Sequence, residues 1–475
     1  MMKWKQKEAP MPDVGVIGLT VTGLAWAAVL AEAGLNVLAT DMDEEVAAGI
    51  LEERQLPGAE PELAALVQAM SDAGRLRFCE LPRRVIRECP VIAISCMTPP
   101  GDDGLPAARF VVSAVRQTAV QAPGDRVLVI KSALPPGTAE KLQQIADEAL
   151  AERADALGIA MNVVAMPELF NDGQMVAAMR RQDPLLVGRA DAAAALPAPL
   201  ARVLDALDPA GKRRKLCTWA TAELAALADS GLVALRQAYG QAVSALAETL
   251  QADSRALTAI LASAEPQRRS RIAARCGGIG IGGRRLPAEM AALTALFEQN
   301  GLAPTLTAAV TAGSAAHTKR CAQWLKDQLA HLPENAVVAV LGLAPSPGTD
   351  DLRETPAVEV LGDLAADFEA HPPAAGRPKP FRLYLPWGAD QAKWRLHRVR
   401  DAFAFCTSAA QATRGADVLI TLGKWPGMGR VLTPGLKRRM RGALILDGAA
   451  AFDRAKALRL GLTYRALLET APAKA

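Results

Sequence analysis

The sequence predicts an α/β protein: two Rossmann-like doubly wound domains joined by a long central helix. Three observations carry this. Short apolar runs alternate with segments of helical spacing toward both ends of the chain. A glycine-bounded turn, Gly18-Leu19-Thr20-Val21-Thr22-Gly23, directly follows the first such run. Between the two ends lies an Ala- and Leu-rich stretch, from Ala220 to about Leu261, with no proline and no strand signal. The chain has 475 residues, room for about three domains at roughly 150 residues each.

The run Val14–Ile17 predicts a first strand. Leu24 to Ala33 reads as a helix closed by Gly34, and Asn36 to Thr40 as a second strand ending in Asp41. Further buried strands are expected at Val91–Ser95, Val127–Ile130 and Val163–Ala165, so that residues 13 to about 200 form one α/β domain. In the middle, Leu224, Leu227, Leu232, Leu235, Ala238, Val243, Leu246 and Leu250 recur at helical intervals. That predicts one long helix or two nearly continuous ones, a common place for dimer contacts. A second α/β unit begins at Val337–Gly342, with strands at Phe381–Leu385, Val418–Thr421 and Leu444–Leu446. The segment His371–Pro380, rich in Pro, Gly and Ala, is expected to be a surface loop.

Composition narrows the function. With 54 basic and 50 acidic residues the net charge is +4, a mixed surface that argues against a nucleic-acid partner. The basic runs Lys212–Lys215 and Lys437–Arg441 are expected as solvated turns or helix ends. Seven cysteines, widely spaced and without a CxxC pair, predict a reducing, cytoplasmic setting. The four histidines show no metal spacing, so no metal site is expected. No apolar run reaches the roughly 18 residues of a membrane span. The basic start, Met1–Lys7, reads as a tail and not a signal peptide.

The Gly18–Gly23 turn matches the dinucleotide fingerprint GxGxxG except at its second glycine. In that fingerprint the first Gly makes the tight turn, the second lets backbone approach the pyrophosphate, and the third allows close helix packing. Thr20 occupies the second position and is expected to weaken NAD binding by standing in the pyrophosphate's way. Asp41 lies 23 residues after Gly18, near the spacing of the carboxylate that binds a ribose hydroxyl. With Asp43, Glu44 and Glu45 beside it, Asp41 favours NAD over NADP.

Residues 280–289 read Gly-Ile-Gly-Gly-Arg-Arg-Leu-Pro-Ala-Glu, a turn in which backbone can approach a ligand closely. This segment resembles the GxGGSCxPKD nucleophile loop of the UDP-glucose/GDP-mannose dehydrogenase family. Other pieces resemble the same family in its own order. VIAISCMTP (Val91–Pro99) is similar to its strand ending in a Thr-Pro pair at the cofactor. KSALPPGT (Lys131–Thr138) is similar to KSTVPxGT, and MPELFNDG (Met166–Gly173) to NPEFLxEG. Thr221–Leu224 opens the helix that reads AELxKxxxN. Arg271-Ile272 resembles RIG, LGLAPSPGTDDLRETP (Leu341–Pro356) resembles LGLAFKxxTDDxRESP, and Leu446–Gly448 resembles IDGRN.

The resemblance implies an NAD-binding Rossmann-like domain over 13–205, a helical dimerisation domain over 206–325 and a UDP-sugar-binding Rossmann-like domain over 326–470. It implies a nucleotide sugar as ligand, and a homodimer or a heterodimer with an active homologue. At the cofactor it places Gly18, Gly23, Asp41, Thr98, Thr138 and Arg353. At the substrate it places Glu168, Arg271, Gly280, Gly282 and Gly283. The family chemistry is a four-electron oxidation of a sugar CH₂OH to a carboxylate, through a cysteine-bound thiohemiacetal and thioester. Glu168 and Thr138 match the residues that handle water and protons. The nucleophile position, however, is Arg285, which stays protonated and cannot attack a carbonyl. Arg284 precedes it where the family has Ser, and this arginine pair is read as gripping a phosphate or carboxylate, or as solvated. The helix Lys and Asn that stabilise oxyanions fall at Ala226 and Ser230. Ala288 replaces the loop Lys, Ser346 the Lys of the C-terminal motif, and Ala449 its Arg. Cys276 is the one cysteine on the same Gly-rich segment as Arg285. Two expectations follow: an NAD-dependent oxidoreductase with altered chemistry, or a non-catalytic paralogue that binds a nucleotide sugar or pairs with an active enzyme.

Overall fold

The structure is a computed structural model and describes residues 10–53, 56, 60–101, 103–156, 158–169, 175–253, 256–257, 260, 278–283, 285–333, 335–370 and 380–467. The chain divides into two compact units, Met1–Ser230 with Ala291–Gln299, and Gly231–Met290 with Asn300–Ala475.

The first unit holds an eight-stranded sheet in the order β3-β2-β1-β4-β5-β6-β7-β8. These strands are β1 Val14–Ile17, β2 Val37–Thr40, β3 Leu76–Phe78, β4 Val91–Ile94, β5 Arg126–Ile130, β6 Met161–Ala165, β7 Leu185–Arg189 and β8 Arg214–Thr218. Strands β1, β2, β4 and β5 are buried along their whole length, as expected for parallel strands covered on both faces. The pairing is parallel except at β6–β7, where Ala165 faces Gly188 in an antiparallel bridge. Two apolar clusters, one on each face, hold helices to the sheet. Strands β3, β7 and β8 are additions to the sequence reading. In β8 (RKLCT), Arg214 and Lys215 lie in an edge strand and not in the expected turn. Charged residues suit a sheet edge because they discourage further pairing. The other basic run ends the helix Pro434–Arg439, as expected.

The helix Trp219–Thr249 forms the middle of the chain. It stops short of the expected Leu261. Gln251 adopts φ 56°, and Ala252 N–H returns to the Ala247 carbonyl at 2.8 Å, a left-handed C-terminal closure. Ala256 and Leu257 are helical again, in keeping with the two-helix alternative. Positions 254–255, 258–259 and 261 lie outside them, as do Met1–Lys7 and 371–379 of the expected loop. Among the described residues no helix is long and apolar enough to cross a membrane.

The second unit carries a six-stranded, fully parallel sheet in the order β11-β10-β9-β12-β13-β14. Its strands are β9 Val338–Leu341, β10 Phe381–Tyr384, β11 Phe403–Phe405, β12 Val418–Thr421, β13 Leu444–Asp447 and β14 Thr463–Ala466. Read along the chain this is the doubly wound order 3-2-1-4-5-6, whose winding reverses between β9 and β12. Helices Arg285–Gln299 and Thr305–Leu329 precede it.

Candidate functional site

In the first unit the predicted residues gather at the carboxyl ends of β1, β2, β4, β5 and β6. Gly18 turns the chain out of β1 at φ 108°, and a Cβ there would fall 2.5 Å from the backbone of Ser95. Only glycine accepts both the dihedral and the contact. The Leu19 N–H donates to Asp41 Oδ2 at 2.6 Å, and the Asp43 N–H to Asp41 Oδ1 at 3.0 Å. Asp41 thus fastens the end of β2 to the glycine turn. Thr20 is the N-cap of the helix Val21–Glu32, and its Oγ1 accepts from the Gly23 N–H at 3.1 Å. The same hydroxyl lies 3.2 Å from the Ser95 carbonyl and 3.1 Å from Ser95 Oγ. Its polar end is therefore directed into the protein, where sequence alone had it standing in a ligand's path.

Beside this turn lies a buried ion pair. Lys131, at the end of β5, approaches Glu168 Oε1 at 3.0 Å, with side-chain exposures of 0% and 4%. Lys131 Nζ also donates to the Met166 carbonyl at 2.7 Å and stands 5.0 Å from the centre of the Trp26 ring. Glu168 is thus a clamped carboxylate. Thr138 opens the helix Thr138–Ala151, and its hydroxyl donates to the Pro135 carbonyl at 2.7 Å. That helix is capped from outside: Glu223 accepts the Gly137 and Ala139 N–H groups, each at 2.7 Å. Burial pushes the Glu223 carboxyl up to about 7, against the backbone donors that pull it down. Glu223, Ser132, Pro167 and Ala226 line a cavity of about 10 Å³, barely enough for one water. Thr98 is half-buried in the segment after β4.

The second unit contains the glycine loop 278–283. Its carbonyls and amides are committed to its own surroundings. The Gly280 carbonyl accepts from Gln237 Nε2 at 2.8 Å, Ile281 N–H donates to Ser314 Oγ at 2.7 Å, and Gly283 N–H donates to the Glu354 carbonyl at 3.1 Å. A Cβ on Gly282 would meet Pro356 at 2.5 Å and the Glu354 carbonyl at 2.9 Å. This glycine serves close approach of the loop to the β9 end of the sheet. Arg285 then begins a helix, and its Nε meets Glu289 Oε1 one turn on at 2.6 Å. Arg353 is paired with Asp351. Arg271, Cys276, Arg284 and 170–173, the end of the Met166–Gly173 motif, lie outside the described residues.

Among the described residues, Cys321 approaches the glycine loop. Its Sγ lies 3.8 Å from the Ile279 carbonyl and 3.4 Å from His317 Nε2. Burial pushes this thiol up to about 12 and holds the His317 imidazole below its usual value. The pair is a neutral thiol and a neutral ring, so it supplies no thiolate. Cys79 and Cys96 are likewise raised by burial, to about 11 and about 12.

Models of one family match the chain in order along its length. Its NAD binding domain matches residues 12–206, its central domain 220–313, and its UDP binding domain 339–454. The chain belongs to the UDP-glucose/GDP-mannose dehydrogenase family. A UDP-glucose 6-dehydrogenase of Pseudomonas aeruginosa is 28% identical over 460 residues, 95% of this chain and 96% of that one. YwqF, a UDP-glucose 6-dehydrogenase of Bacillus subtilis, is 24% identical over 95% of this chain and 96% of its own. A solved UDP-glucose dehydrogenase from Pyrobaculum islandicum is similar with a TM-score of 0.76 at 25% identity, covering 98% of this chain and all of that one.

As a family member, the chain carries an NAD-binding domain, and its residues fit that cofactor. Gly18 itself places no side chain where the chain turns out of β1. The helix Val21–Glu32 presents its positive end there, and Asp41 stands at the end of β2, where a ribose-binding carboxylate would be placed. Sequence reasoning overlooked three residues. Lys131 sits in the quoted KSALPPGT motif, but its partner was invisible. Glu223 was noted as a motif letter and not as a cap. Glu289 closes the Gly280–Glu289 segment, and its four-residue spacing from Arg285 was the available signal.

Proposed function

We propose that this family member binds NAD and a nucleotide sugar without carrying out the four-electron oxidation. The observation that supports this most is the Arg285–Glu289 pair at the nucleophile position. A guanidinium held by a carboxylate neither attacks a carbonyl nor carries an acyl group. Two further observations agree. Ala226, at the position of the oxyanion-stabilising lysine, lines a small cavity and has no donor to offer. Cys321 is held as a thiol. Bound NAD supplies hydride acceptance in this family's chemistry. Gly18, Gly23, Asp41, Thr98, Thr138 and Arg353 would hold it, with Glu168, Arg271, Gly280, Gly282 and Gly283 on the substrate side of the same reading. The division into 13–205, 206–325 and 326–470 belongs to this reading as well.

The reading extends to assembly. Leu232, Tyr239 and Leu246 recur every seven residues on the central helix and are 43%, 58% and 57% exposed. A stripe of this kind fits a helix of a second copy or of an active homologue. The test of function is purified protein with NAD and UDP-glucose, followed by calorimetry, NADH absorbance and product analysis. Saturable binding of both ligands without turnover is the expected result. One NADH per sugar with an aldehyde product would favour a two-electron dehydrogenase. Two NADH per sugar with a uronate product would overturn the proposal.

A further inference from the structure

In open α/β sheets, ligands bind beyond the carboxyl ends of the strands where the winding reverses. In the second unit that point lies between β9 and β12. The two strands leave it through loops in direct backbone contact. A Cβ on Gly342 would fall 2.5 Å from the Gly423 carbonyl oxygen, and one on Gly423 2.7 Å from that of Ala344. The glycine loop closes on the same edge, since Gly282 abuts Pro356 and a Cβ on Gly448 would meet Ile279 at 3.3 Å. Lys424 follows Gly423 directly and is half-buried at this edge.

The charges here are unevenly committed. Arg285 and Arg353 are paired with Glu289 and Asp351. Asp447, at the end of β13, is buried and saturated by Thr421 Oγ1, the Ala451 and Phe452 N–H groups and the Tyr464 hydroxyl. Lys424 has no hydrogen bond or ion pair among the described residues. Burial pushes its ammonium down, and only the field of Asp447 opposes this. A half-buried cation without a partner is a cost unless an anion arrives. Ser346 and Ala449, on the neighbouring loops, carry no charge.

We propose that Lys424 is the cation that receives the diphosphate of the nucleotide ligand in the second unit, in place of charges absent at Ser346 and Ala449. The proposal rests on the nucleotide-sugar reading and specifies which residue of this chain serves it. The flexible ammonium suits a phosphate as a point charge.

The test is calorimetric titration of the full chain, Lys424→Met and Lys424→Arg with UDP, uridine and inorganic pyrophosphate. Thermal melts check that each variant folds. Lys424→Met should bind UDP and pyrophosphate about tenfold or more weakly, with uridine unchanged and Lys424→Arg near the native chain. Equal UDP affinity in the native chain and Lys424→Met would overturn the assignment. Pyrophosphate binding that depends on Lys424, with no UDP binding, would keep the cation site and overturn the nucleotide reading. No binding of either by the native chain would overturn both.

Discussion

Arg285 and Glu289 stand one helical turn apart with Nε 2.6 Å from Oε1, the arginine side chain 17% exposed and the glutamate 4%. The pair is a local ion pair at the start of the helix Arg285–Gln299. Glu289 lies too deep to be solvated, so its polar atoms depend on protein partners.

Removing Arg285 should therefore cost stability. Arg285→Ala is expected to lose about 1–3 kcal/mol, less than a fully buried pair because the arginine retains some solvent. Glu289→Gln should cost a similar amount. The double variant should be more stable than the two losses summed, by about 0.5 kcal/mol or more. Urea denaturation of the four proteins measures this. Strict additivity would show that the pair contributes no coupling.

Glu223 should give the stability curve a pH dependence of unusual sign. Its folded-state value, about 7, lies above its ordinary 4.5, so the folded chain binds this proton more tightly than the unfolded chain. That contribution is fully present below about 4.5 and is lost as pH rises through about 7. Glu223→Gln removes the titration and one backbone acceptor at every pH. The melting temperature of the native chain, measured relative to Glu223→Gln, should fall from pH 5 to pH 8. A constant difference would assign Glu223 an ordinary value.

Thr20 separates two effects that sequence alone merges. Thr20→Ser keeps the hydroxyl that caps the helix and bonds Ser95, and removes only the methyl group. Thr20→Gly removes both, with a stability cost of a few tenths of a kcal/mol for the cap. If the methyl crowds the pyrophosphate, both variants should bind NAD more tightly in calorimetry. Tightening in Gly but not in Ser would place the effect in backbone freedom, and no change in either would clear Thr20 of obstruction.

The central helix offers a paired test of assembly. Leu232 is exposed, whereas Leu235 packs partly buried against the cluster of Ala234, Leu286, Met290 and Val310. Leu232→Asp should reduce the mass seen by light scattering while helical circular dichroism is unchanged. Leu235→Asp should lower the melting temperature instead, because it places a charge against an apolar cluster. A native mass near 50 kDa at all concentrations, with no partner recovered on co-purification, would rule out the dimer.

Local pattern was enough to read the inner strands around which both sheets are wound. Runs such as Val14–Ile17 and Val418–Thr421 are buried along their whole length, so their apolar character is unbroken in the sequence. The Gly18 turn was legible because one residue type alone tolerates its dihedral and its contact with Ser95. Strands β3, β8, β11 and β14 were not, because they lie at sheet edges where solvent relaxes the pattern, while the interior strand β7 carries a buried apolar run, Leu185–Val187, that went unread. The end of the central helix escaped too, since Gln251 adopts a left-handed backbone with no glycine to signal it.

By itself the sequence determined the fold class, the NAD fingerprint and the departures at Arg285, Ala226 and Ala449, since each is a matter of residue identity at a spaced position. Tertiary structure alone decided how the remaining groups are employed. Lys131 and Glu168 are 37 positions apart and Glu223 and Gly137 are 86 apart, so no local pattern could pair them. Burial, which raises Glu223 and Cys321, is a property of everything packed around a group. That Lys424 has no ion-pair partner among the described residues emerges only when the loops after β9 and β12 meet, because a cation is free or bound according to what the fold brings within a few ångströms of it.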